Sequence, residues 1–175
     1  MNIHQIQMAY DQRQDRIMLR LSTREQTEFR FWLTRRFVKR LWGLLLKMLE
    51  QDESFRSLSE EARRALLGMQ HETFVEEGDF SKAYENTARD MPLGPEPVLL
   101  ATAKGKVDAK GNQTLSLHPA SGQGIDLGLN SKLLHMVVKL LRDAVSRSDW
   151  DIRITLLSGA EQFAATTPAT PRTLN

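Results

Sequence analysis

The chain has 175 residues, 41% hydrophobic and 26% charged, with a net charge of +2 and no cysteine. That is the composition of a folded chain with its own apolar core, not of a disordered or fibrous one. The missing cysteines exclude disulfides, thiolate metal sites and a cysteine nucleophile.

The first stretch, MNIHQIQMAYDQRQ, is polar and lacks the charged-then-apolar layout of a signal peptide. No apolar run approaches the roughly 20 residues of a membrane span. The expectation is a soluble, cytoplasmic protein of bacterial type. Ile3–Tyr10 reads as a strand with Ile6, Met8 and Tyr10 at period two. A polar loop follows, and Arg16–Ser22 alternates, with Ile17, Leu19 and Leu21 on one face and Met18 and Arg20 on the other. In Glu28–Leu33 the inward set is Phe29, Phe31 and Leu33, and Arg30 and Trp32 point outward. Loops this short join antiparallel strands, so the three form a meander.

Thr34 can cap the next helix. In it Phe37, Leu41, Leu44, Leu45 and Met48 make an apolar stripe, widened by Val38, Trp42 and Leu49, with Arg36, Arg40 and Lys47 opposite. Gln51–Leu58 is a break. Ser57 or Ser59 caps a second helix reaching about Thr73, and Phe80–Arg89 reads as a further short helix. Residues 51–100 carry 5 Lys and Arg against 11 Asp and Glu, whereas residues 1–50 carry 10 against 5 and residues 101–175 carry 9 against 6. The acidic middle is expected to pack over the basic helix or the open side of the sheet.

Met91–Pro97 holds three prolines and a glycine and reads as an extended linker. Beyond it, Val98–Val107 is a strand with a possible bulge at Gly105, Asp108–Asn112 a turn, and Gln113–His118 and Gln123–Leu129 are strands. Asn130 or Ser131 caps a helix over Lys132–Arg147. That helix is apolar over most of its girth, with a polar strip of only His135, Lys139, Arg142 and Ser146, so it should be buried on more than one side. Asp151–Leu157 reads as a closing strand and 158–175 as a flexible tail.

Residues 29–49 and 125–145 share one pattern at a shift of 96, with Leu33/Leu129, Leu44/Leu140 and Leu45/Leu141 identical. The expected fold is therefore α+β: two β-β-β-α units related by a pseudo-two-fold, with additional helices between them. As domains, 1–157 forms one unit of two halves, 1–90 and 98–157, joined by 91–97.

The motifs that would name a chemistry are broken. His71-Glu72 opens like a zinc-protease helix, but Val75 stands where the second ligand belongs. The four histidines have no metal spacing. Gly122, Gly124 and Gly128 lead into a strand, whereas a phosphate loop ends at a helix N-terminus. Asn112-Gln-Thr114 fits a glycosylation sequon, a chance match without a secretory signal. Glu76, Glu77, Asp79 and Glu85 lack the spacing of a calcium loop. No catalytic residue, cofactor or metal is expected, and the chain is not expected to be an enzyme.

Two functional readings remain. The first is a protein-interaction or assembly module, expected to be a homodimer or to bind another protein through Val38, Trp42, Leu46, Met136 and Leu140, because the helices carry more apolar surface than one small sheet covers. The second is a single-stranded nucleic-acid binder using Arg20, Arg30 and Trp32 on the outward sheet face, extended by Arg35, Arg36 and Arg40. In architecture this layout resembles the Whirly and PUR single-strand binders, although those families use four strands per unit and this chain three. The equivalent positions of the second half, Ser116, Asp126 and Gly128, offer neither ring nor cation.

Overall fold

A computed structural model describes residues 2–51, 55, 57–78, 80, 82–86, 90–108, 111–152 and 154, with Arg64 described by its backbone alone. The fold is α+β: among the described residues, a six-stranded sheet and three helices. The strands are β1 (Ile3–Asp11), β2 (Arg16–Thr23), β3 (Glu28–Leu33), β4 (Val98–Val107), β5 (Gln113–Pro119) and β6 (Ile125–Leu129). The helices are α1 (Arg35–Glu50), α2 (Glu60–Glu76) and α3 (Ser131–Ser146). The strands lie in chain order across the sheet. Neighbours are antiparallel except β3 and β4, which pair in parallel through Phe31 with Val98 and Trp32 with Leu99.

Strand alternation sets the two faces. Ile17, Leu19, Leu21, Phe29, Phe31 and Leu33 are buried on the inner face, where an apolar side chain leaving water gains roughly 1.5–3 kcal/mol. The same face takes Leu115, Leu117, Ile125, Leu127 and Leu129 into one continuous core with residues of both halves. Two helices cover it. The Thr34 hydroxyl caps α1 by accepting from Phe37 N at 3.2 Å, and the Asn130 side chain caps α3 by accepting from Leu133 N at 2.8 Å. Each helix rests chiefly on the first strand of the other half, α1 on β4 and α3 on β1. At Gly105 on β4, a Cβ atom would lie 2.8 Å from Met48 Sδ and 3.1 Å from Leu44 Cδ1, so the missing side chain is what lets α1 sit so low.

The β-β-β-α order thus occurs twice, but the pseudo-two-fold between the halves is not confirmed. The α2 region has no counterpart after α3 among the described residues, and β4 is far more exposed than β1. Other expectations need correction. The irregular pairing in β4 falls between Leu100 and Thr102, not at Gly105. Ser59, not Ser57, caps α2. The described residues of 80–86 are not helical. They run across the outer face instead, held by the Gln5 carboxamide, which donates to Ala83 O and accepts from Glu85 N. Residues 91–97 run between two pairings on one strand edge. Asp90 and then Val98–Leu99 pair with the same strand edge at Thr27 and at Phe31–Trp32. The segment between loops out through a turn at Gly94, where φ is +88°. Of the expected closing strand, residues 151, 152 and 154 are outside any strand, and 153 and 155–157 lie outside the described residues, as does 158–175. The chain after α3 is fastened to the β1–β2 turn: Tyr10 Oη lies 2.9 Å from Asp15 Oδ1 and 3.0 Å from Asp149 Oδ1, and Trp150 Nε1 also donates to Asp15.

No helix among the described residues is long and apolar enough to cross a membrane.

Candidate functional site: an arginine-lined cleft

The outer face of β2 and β3 carries three cross-strand pairs: Met18 with Trp32, Arg20 with Arg30, and Ser22 with Glu28. Two arginines directly opposite each other repel. Glu28 resolves this. Its Oε1 accepts from Arg20 Nε at 3.1 Å, from Arg20 Nη2 at 3.0 Å and from Arg30 Nε at 2.6 Å. The Glu28 side chain is 1% exposed, against 18% for Arg20 and 27% for Arg30. Burial pushes the Glu28 carboxyl up, but the hydrogen bonds and charges of Arg30 and Arg20 outweigh it and hold the group below its ordinary 4.5. It is therefore ionised at neutral pH, and it is the one carboxylate in ion-pair contact with either arginine among the described residues.

The crossing segment completes the site. The Arg20 guanidinium lies 4.0 Å from the centroid of the Tyr84 ring, a cation–π contact. Its Nη2 also donates to Asn86 Oδ1, and Arg30 Nη1 donates to Pro95 O at 3.2 Å. Burial raises the Tyr84 phenol above its ordinary 10. Ser22 opposes this rise and Glu28 adds to it, although neither contact reaches hydrogen-bond geometry. Between these groups is an open cleft of about 310 Å³, lined by Met18, Arg20, Arg30, Asn86 and Pro97. Half-buried Trp32 and Leu99, 45% exposed, continue an apolar band beside it.

The residues expected to bind nucleic acid do not form one patch. Arg20, Arg30 and Trp32 share the outer face, whereas Arg35, Arg36 and Arg40 are exposed on α1, which covers the inner face. Arg35 Nη2 donates to Asp151 O at 3.1 Å. The residues expected at an interface are largely internal: Val38 and Trp42 are 0% exposed and Leu46 4%. They pack α1 into the chain's own core, and only Met136 and Leu140 are half-buried. His135, expected on the polar strip of α3, is 1% exposed. Asp79 lies outside the described residues.

Tyr84, Asn86, Pro95 and Pro97 escaped the sequence reading because residues 80–89 looked helical and 91–97 looked like a linker. Glu28 was visible: it alternates with Arg30 and Trp32 on one strand and so shares their face. Among the described residues, no group of three or more His, Asp or Glu could hold a metal ion. No known protein family, characterised protein or solved structure matches the chain.

Proposed function

We propose that the chain is a non-enzymatic interaction module whose outer-face cleft binds a carboxylate-bearing, partly apolar segment of a partner protein. One observation carries this reading: Arg20 and Arg30 share a single carboxylate oxygen, so Glu28 offsets one of their two charges. A net positive cleft beside Met18, Trp32 and Leu99 suits an acidic side chain flanked by an apolar one, because arginine pairs well with carboxylate even at half-buried sites. A single nucleic-acid strand is a poorer fit. It needs a row of free cations and an open ring, whereas Tyr84 covers the flat face of Arg20. The apolar surplus that favoured a homodimer is mostly consumed within one chain.

The test is an anisotropy titration at low salt with a labelled peptide rich in Asp, Glu and Phe, beside an oligonucleotide of matched length. The reading expects peptide binding that weakens with salt and falls at least tenfold in Arg30→Gln, about 1.4 kcal/mol. Tighter binding of the oligonucleotide, or self-association in the absence of peptide, would overturn it.

A further inference from the structure

A second polar cluster lies outside the cleft, where α2 meets α3. His71 of α2 and His135 of α3 are 4% and 1% exposed. Their Nδ1 atoms are 3.2 Å apart, their ring centroids 5.4 Å apart, and the Phe74 ring lies 5.3 Å from His135. At that separation one Nδ1 carries a hydrogen and the other accepts it, which requires that at least one ring be neutral.

We propose that this contact is an acid-labile latch: protonation of the histidine pair releases α2 from α3. Protonating both rings would set two N–H donors against each other and break the contact. The first proton is already unfavourable. It leaves both nitrogens of His71 carrying hydrogen, and His71 Nε2 is buried with no hydrogen-bond acceptor among the described residues. The charges acting on His71 all come from α3. Arg142 and Lys139 oppose a further cation, and Asp143 favours one. Asp143 is itself engaged by Lys139 at 2.5 Å. Burial first, and these cations second, bring His71 down from 6.5 to about 4.

α2 buries little apolar surface of its own. Of its apolar side chains only Leu67 is fully buried, and Met69 is 64% exposed. The Lys132–Glu77 pair at the rim is solvent-exposed and adds little. Loss of the histidine contact therefore falls on a helix with little buried apolar surface.

The experiment is hydrogen exchange on the full chain at pH 7 and pH 5, expressed as protection factors so that the intrinsic pH dependence of exchange cancels. With values of about 4 docked and 6.5 released, α2 protection is expected to fall roughly twentyfold while β2 and β3 amides hold. In His71→Phe the part of this fall that His71 carries should disappear, leaving only what His135 contributes. Should that variant not fold, NMR titration of the wild-type imidazoles decides: the proposal expects His71 well below 6.5. Unchanged α2 protection between the two pH values, or two imidazoles titrating independently near 6.5, would overturn it.

Discussion

Glu28 is the residue on which the outer face turns, and replacing it with glutamine isolates its charge. Glu28→Gln keeps the shape and one acceptor oxygen but leaves Arg20 and Arg30 facing each other without an anion. Three charge-assisted hydrogen bonds converge on Oε1. Deleting one partner of a fully buried ion pair costs about 3–5 kcal/mol. The arginines are 18% and 27% exposed and recover part of their hydration, so the expected cost is about 2 kcal/mol. The assay is urea unfolding at pH 7, read as a lower midpoint at unchanged slope. The pH dependence supplies an internal check. Because Glu28 is held below its ordinary 4.5 in the fold, its contribution is complete above that value. It is lost as pH falls through the lower, folded one. The gap between wild type and variant should therefore close in acid. A cost under about 0.5 kcal/mol at pH 7, within the usual range for surface substitutions, or a gap that persists in acid, would refute the reasoning.

Other consequences can be checked the same way. Asn130→Ala removes the α3 cap and should cost about 1 kcal/mol in urea unfolding. Trp42→Ala, at a site that is 0% exposed, should cost about 3–5 kcal/mol. Gly105→Ala brings its Cβ against Met48 Sδ and Cγ and Leu44 Cδ1 and should cost about 1 kcal/mol, with Gly105→Val nearer 3. Tyr84→Phe deletes a buried hydroxyl that has no hydrogen-bond partner among the described residues and should leave stability within about 0.5 kcal/mol. Tyr84→Ala, which uncovers Arg20, should instead speed amide exchange in residues 82–86.

Strands, caps and the two long helices were legible because each rests on a local rule. Period-two alternation placed Arg20, Arg30 and Trp32 on one face, and helical spacing placed Leu41, Leu45 and Met48 against the sheet. The failures share a different cause. Val38, Trp42 and Leu46 looked surplus because the spacing of one helix does not show how many layers will cover it. In the fold, α1 is buried by the sheet together with α3 and α2. Residues 80–89 looked helical on composition, but Gln5, 78 residues or more away in sequence, holds Ala83 and Glu85 across the outer face. The return of Asp90 and Val98 to one strand edge is likewise a long-range pairing, and it sets the linker between them beside the cleft. His71 drew notice as part of a broken zinc motif, and only the packing of α2 on α3 brought His135 against it.

The claim that an acidic segment seats on Arg20 and Arg30 is tested most directly by the guanidinium Nε–H resonances of those two residues during titration with the acidic peptide. Both are expected to shift in step with binding, and the Trp32 indole with them, while the Arg36 and Arg40 signals on α1 stay in place. Saturable binding that leaves Arg20 and Arg30 unmoved, or that moves only the α1 arginines, would contradict the account.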